Sequence, residues 1–230
     1  MTIHSSITKR ALTALCAVLG IALLTATLHA KTLDQTARDK ALFETYQEML
    51  RGDPYQPYAL RRLLEVSHVQ GGLTGVITAY EGRLKSAPDD VNTHVILGHL
   101  YQAADREEMA VASYGAAATR APKDWRPHQA MARLFRKTSA WQRSFDAFDV
   151  ALSLARKGDD RVALWQEAAD AALEAKLLDQ AQSYYRALRE ATPRKTFLHM
   201  EAAATLGRRG FPKASLAAWL AVQEKVGRAL

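Results

Sequence analysis

The sequence predicts an all-α protein built as a row of helical hairpins, and three observations carry that prediction. Pro54, Pro88 and Pro122 are evenly spaced along the chain, in the contexts Gly-Asp-Pro-Tyr, Ala-Pro-Asp-Asp and Ala-Pro-Lys-Asp. Between these stops the chain carries two amphipathic helical stretches per period, separated by a short break. No stretch shows the alternation expected of a half-buried strand. Proline lacks the N–H that a helix interior needs and disfavours helical geometry in the residue before it, so each stop ends a helix. The fixed period, about 34 residues, marks a repeat architecture in which each unit buries its apolar face against its neighbours.

In chain order, the first thirty residues stand apart. Lys9 and Arg10 precede an uncharged, mostly apolar stretch from Ala11 to Ala30, the pattern of an export signal. Cleavage is expected after Ala30, although Leu28 stands where a small residue is preferred. The stretch is also long enough to cross a bilayer, so an uncleaved inner-membrane anchor is the alternative. Either outcome places the rest of the chain in the periplasm or beyond, because the basic pair favours the cytoplasmic side. Without this segment the net charge falls from +7 to +5, which is too mild to indicate a nucleic-acid partner. Cys16, the only cysteine, lies within the segment behind Leu15, where a lipidation site would need a small residue. The remainder has no disulfide or thiolate chemistry and depends on packing for stability.

Residues 31–56 read as a leading helix, with Tyr46 and Leu50 ahead of Pro54. Five units follow over 57–230. Unit 57–90 carries Leu63, Leu64, Gly71, Tyr80, Leu84 and Pro88. Unit 91–124 is the most complete, with Leu97, Gly98 and Tyr101 on its first helix and Ala110, Tyr114 and Ala117 on its second, before Pro122. Unit 125–161 carries Ala132, Phe135, Phe148, Ala151 and Leu152, and ends at Lys157-Gly158-Asp159-Asp160 in place of a proline. Unit 162–195 carries Ala169, Ala181, Tyr185 and Pro193. From Pro122 to Pro193 the chain covers two periods and three extra residues. Unit 196–230 carries Ala203, Gly210 and Trp219 and is the least regular.

In type and spacing these residues resemble the tetratricopeptide repeat. The small side chains at Gly98, Ala110 and Ala117 match places where its helices approach closely, and Tyr101 and Tyr114 match the aromatics that fill the space between them. Val76 and Arg83 depart from the pattern, standing where small residues are usual. The resemblance covers everything after the export segment. It implies a helical-hairpin solenoid, a right-handed superhelix whose first helices line a concave groove that binds another protein or peptide. Together with the export segment it implies a bacterial exported member of the family, with no catalytic site and no cofactor.

Projecting the first helices onto that groove gives Arg61, Arg62 and His68 from unit 57–90, and Asn92, His99 and Gln102 from the next. Unit 125–161 contributes Arg126, Gln129, Arg133, Arg136 and Lys137. The sign then reverses, with Glu167, Asp170 and Glu174, followed by Glu201. A groove basic in one half and acidic in the other would orient a ligand by charge, whereas a merely solvated face would do nothing more than keep the array soluble. Arg61 and Glu65 occupy the places where the family's chaperone-tail clamps hold lysine and asparagine, so that clamp is absent.

Other chemistry is not supported. His94 and His99 share a helix at a spacing that does not bring two imidazoles together, and His68, His128 and His199 have no patterned metal-ligand partners. Gly71-Gly72 falls at a hairpin turn, and the pairs Asp89-Asp90 and Asp159-Asp160 fall at helix starts, where carboxylates cap free amides. No metal site and no phosphate loop are expected. A helix from Lys213 to Arg228 carries Leu216, Trp219, Leu220 and Val222 with no capping helix after it, an edge suited to a partner or to a second copy, with self-packing of an amphipathic last helix as the equal alternative.

Three functions follow for comparison. The first is a non-catalytic adaptor in the bacterial envelope. The second is a substrate-recruiting accessory subunit of an envelope enzyme complex whose active chain lies elsewhere. The third is a structural oligomer assembled through the C-terminal edge.

Overall fold

The computed structural model describes residues 33–227 except Lys157, and the side chains of 159, 160 and 225–227 are also outside the description. The expected export segment, 1–30, lies outside the described residues. Eleven α-helices and no strand occur among the described residues. The chain divides into two compact units, one ending at Val76 and one beginning at Ile77.

In the first unit, helix α1 (33–52) buries Phe43, Tyr46 and Leu50, which recur at helical spacing on one face. Helix α2 (Pro57–Glu65) starts on a proline, whose missing N–H costs nothing at a helix N-terminus. A short 3₁₀ turn, Ser67–Gln70, then leads into α3 (Gly72–Ser86), which runs on past the division. Gly71 and Gly72 both have positive φ, 81° and 74°. At Gly75 an added Cβ would lie 1.8 Å from the Gln70 carbonyl oxygen, so only glycine permits this approach.

The second unit stacks four hairpins: α4 (Val91–Ala103) with α5 (Glu107–Arg120), α6 (Arg126–Lys137) with α7 (Trp141–Leu154), α8 (Asp159–Glu174) with α9 (Leu178–Ala191), and α10 (Thr196–Arg208) with α11 (Pro212–Gly227). Each hairpin packs on the next through α5 against α6, α7 against α8 and α9 against α10. Helix α8 begins at Asp159, inside the stretch drawn from the sequence as unit 125–161. Asp90 supplies the cap expected at the start of α4, accepting from Asn92 N at 3.1 Å and from Thr93 Oγ1 at 2.6 Å.

The turn within each hairpin is the same device. Asp105, Ser139, Lys176 and Gly210 all have positive φ and recur once per hairpin. After each, the next N–H reaches back five residues: Arg106 to Tyr101, Ala140 to Phe135, Leu177 to Ala172 and Phe211 to Leu206, at 2.8 to 2.9 Å. This left-handed cap satisfies carbonyls that the ending helix leaves open. The first and last of the three intervals between these turns are equal, and the middle one is longer by three. The extra residues therefore enter between Ser139 and Lys176, and they lengthen α8, which spans 16 residues against 13, 12 and 13 for α4, α6 and α10.

Within the hairpins, small residues mark the helix crossings. Gly98 on α4 faces the Tyr114 ring, and an added Cβ would sit 2.4 Å from Tyr114 Cε1. Ser144 Oγ on α7 donates to the Ala132 carbonyl at 2.9 Å, and Ser215 Oγ on α11 donates to the Ala203 carbonyl at 2.8 Å. The residues that defined the repeat, Leu97, Gly98, Tyr101, Ala110, Tyr114 and Ala117, are all buried, while Pro122 is exposed at the turn it makes. Full burial of a side chain as large as Phe148 contributes about 1.5–3 kcal/mol.

Candidate partner-binding face

In the first unit, Arg61 is exposed beside the Tyr58 ring. Arg62 donates through Nε to the Tyr46 hydroxyl at 3.3 Å and pairs with Glu65. The Arg62 guanidinium holds the Tyr46 hydroxyl below the usual tyrosine range. His68 Nε2 lies 3.1 Å from Asp39 Oδ2. Two of the three residues projected onto the groove are thus engaged with α1 or with their own helix.

In the second unit, the first helices are joined by a polar seam. Lys137 Nζ reaches Asp105 Oδ1, in the α4–α5 turn, at 2.8 Å. Between α6 and α8, Arg133 grips Glu167 through Nε and Nη2, both at 2.7 Å, and Gln129 Nε2 donates to the same carboxylate at 2.9 Å. One turn further, Arg136 grips Glu174 at 3.0 and 3.1 Å, and Arg209, at the end of α10, reaches Glu174 at 2.8 Å. Glu174 is only 9 % exposed and joins three successive hairpins. Asp170 accepts from the Tyr185 hydroxyl at 3.1 Å; burial raises its carboxyl, and the Tyr185 bond and Arg136 oppose that rise.

The reversal of sign read along the sequence therefore cancels in space. Basic residues on α6 and acidic residues on α8 meet each other, because positions one period apart lie side by side on adjacent first helices. The face is a neutralised ladder of charge-assisted hydrogen bonds, and it holds no separate basic and acidic fields. Arg126 is satisfied locally, bound to the Asp124 carboxylate through Nε and Nη2, each at 2.9 Å.

His99 differs from the role projected for it. Its Nδ1 lies 2.7 Å from the Tyr114 hydroxyl, which also donates to Gln102 Oε1 at 3.1 Å. Burial, and secondarily the charge of Arg133, push the imidazole down to about 4. It is a neutral ring inside the α4–α5 hairpin. Asn92 is half-buried in the first turn of α4. Glu201 on α10 is exposed.

The sequence projection missed Arg209, Ser144 and Ser215. Arg209 stands about one period after Glu174, and Glu174 about one period after Arg136, so pairing opposite charges at that separation would have found it. The serines sit at the small-residue places of their repeats, where alanine and serine look alike until the facing carbonyl is known. Among the described residues no group of three His, Cys, Asp or Glu side chains is placed to hold a metal ion. No helix among them is long and apolar enough to cross a membrane.

No protein-family model matches the sequence, and no curated protein matches it either. Solved structures do resemble it. MamA protein aligns over 80 % of this chain and 91 % of its own, at 15 % identity and a TM-score of 0.54. YrrB, a TPR protein with an unusual peptide-binding site, aligns over 80 % of this chain and 93 % of its own, at 11 % identity and a TM-score of 0.52. A tetratricopeptide repeat protein from Parabacteroides merdae aligns over 80 % and 72 %, at 17 % identity and a TM-score of 0.50.

Proposed function

We propose that this chain, which has the fold of tetratricopeptide repeat proteins, is a non-catalytic scaffold that binds another protein or peptide along its first helices. The observation that carries the proposal is the seam on α6, α8 and α10. Its long polar side chains are already held in place by one another, so a ligand meets a preorganised surface and loses less entropy on binding. Arg133 remains more than half exposed while bound to Glu167, and offers its remaining donors to a passing backbone. YrrB, with its peptide-binding site, supports the reading by analogy of fold.

The test is affinity capture from the native bacterial envelope, comparing the parent with the neutral pair Arg133→Gln/Glu167→Gln. Arg133 is exposed and Glu167 half-buried, and replacing both with glutamine leaves no unpaired charge, so stability should change by about 1 kcal/mol or less. Loss of the captured partner with an unchanged melting temperature supports the face. Equal capture by parent and variant rejects it.

The export reading belongs to the same proposal. It is supported by Lys9, Arg10 and the apolar stretch behind them. Fractionation of cells expressing the full chain, followed by N-terminal sequencing of the product, separates cleavage after Ala30 from a retained anchor. Recovery of the uncleaved chain in the cytosol rejects both.

A second reading, self-assembly, has its own observation. On α11, Leu216, Trp219 and Leu220 are 61, 36 and 56 % exposed, and they share one face at helical spacing. Phe197 and Met200 on α10 are exposed as well.

A further inference from the structure

The loop edge of the second unit holds a cleft of about 800 Å³ between the start of α8 and the α9–α10 turn. Its apolar wall is formed by Val162, Trp165 and Pro193, and its cations are Arg161, Arg194 and Lys195. A volume of this order suits a small ligand. The cleft lies at the start of α8, the longest of the first helices in this unit.

Two observations bear on what it could hold. The first is Arg161. Its Nη1 donates to the Ala155 carbonyl at 3.1 Å and its guanidinium lies 5.1 Å from the Trp165 ring centre. Its Nε is sealed from solvent and has no acceptor among the described residues. An atom closed to solvent is closed to a ligand as well, so an anion in the cleft would meet this fixed guanidinium through its remaining terminal nitrogen, Nη2. The second is register. Asp90 and Asp124 stand one period apart at the starts of α4 and α6, where carboxylates suit the helix dipole. Counting on by one period and the three extra residues, and then by one further period, the matching places hold Arg161 and Lys195. Arg161 is the third residue of α8, behind Asp159 and Asp160, and Lys195 directly precedes α10, so both bring positive charge to a helix start that the dipole alone does not favour.

The preceding loop shows the same chemistry with the anion supplied internally. A cleft of about 810 Å³ is lined there by Lys123, Trp125, Arg126 and Arg156, and the carboxylate of Asp124 fills the fork of Arg126. We infer that the α8 cleft binds a carboxylate carrying an aromatic or branched aliphatic group on the adjoining carbon. The carboxylate meets Arg161 and Arg194, and the apolar group lies against Trp165. The short distance between guanidinium and indole sets this ligand class, because charge and apolar group must sit on neighbouring atoms. A free small acid and the terminal residue of a polypeptide share that chemistry. The cleft lies on the loop edge, so the inference stands apart from the proposed binding face.

The probes are phenylacetate, its neutral analogue phenylacetamide, and acetyl-Ala-Ala-Phe with a free or an amidated carboxyl. Calorimetric titration of the protein should give saturable one-to-one binding of an acid and none of the matching amide. The indole N–H resonance of Trp165 should move with saturation. Arg161→Gln and Arg194→Gln should each weaken binding about tenfold, the loss expected for one charge-assisted hydrogen bond. Lys123→Gln, in the preceding cleft, should leave it unchanged. Arg194 is exposed and has no bonding partner among the described residues, so its variant tests the site even where Arg161→Gln disturbs the α7–α8 turn. Phenylacetate binding as well as the peptide acid identifies a free small acid, and binding of the peptide acid alone identifies a chain end. No saturation at millimolar concentration, equal binding of acid and amide, or parental affinity in both arginine variants would overturn the inference.

Discussion

Gly98 shows how one residue decides whether a hairpin closes. Elsewhere in a helix, alanine is better than glycine by about 1 kcal/mol. Here the added Cβ would enter the Tyr114 ring, which is fully buried and hydrogen-bonded to His99 and Gln102. Gly98→Ala is therefore expected to destabilise the protein by about 1–3 kcal/mol, the usual cost of overpacking. A lower urea midpoint at unchanged m-value is the expected reading, and a midpoint at or above the parent's would show that Tyr114 gives way. His99 carries the matching prediction in pH. Its folded-state value of about 4 lies below the ordinary 6.5, so the unfolded chain takes up the proton first as the pH falls. Its contribution to stability is complete above about 6.5 and is lost progressively toward 4. The ring resonances of His99 should hold steady from neutral pH down to about 5, and a midpoint near 6.5 would mean the ring is solvated.

At the scale of elements, the seam makes unequal demands on its members. Glu174 serves both Arg136 and Arg209 and is nearly buried, whereas Arg133 is 56 % exposed. Truncating Glu174 leaves two guanidinium groups without their acceptor at a partly desolvated site. Glu174→Ala is expected to cost about 1–3 kcal/mol, and Arg133→Ala less than about 1 kcal/mol. Chemical denaturation of the two variants checks the order, and equal costs would show that solvent reaches Glu174 freely. The hairpin turns were partly legible beforehand. Gly71 and Gly210 announce a left-handed residue, while Asp105, Ser139 and Lys176 occupy the same conformation with no such announcement. Their conformation is imposed by the backbone bonds that close each helix end, which act at a distance of five residues and leave no trace in residue type.

For the whole molecule, the exposed apolar face of α11 carries the self-assembly reading. If it joins copies, Leu216→Glu/Leu220→Glu should convert a concentration-dependent sedimentation profile into that of a monomer, with helix content retained. A parent that sediments as a monomer at the highest concentrations removes this reading and leaves the scaffold reading untouched.

The sequence by itself determined the all-helical hairpin architecture. Proline spacing, small residues at helix crossings and amphipathic periodicity are local in origin, and each repeats often enough to be read without knowing which helix touches which. It also located the most complete hairpin, 91–124, whose defining side chains, Pro122 apart, are buried. Only the tertiary structure decided what the first-helix charges do. Whether Arg133, Arg136, Glu167 and Glu174 form two opposing fields or one neutral ladder depends on the separation of adjacent helices, and charges that close to hydrogen-bonding distance cancel where a projection counts them separately. The open donor of Arg161 belongs to the same class of fact, because a missing acceptor can be seen only when every neighbour is in place.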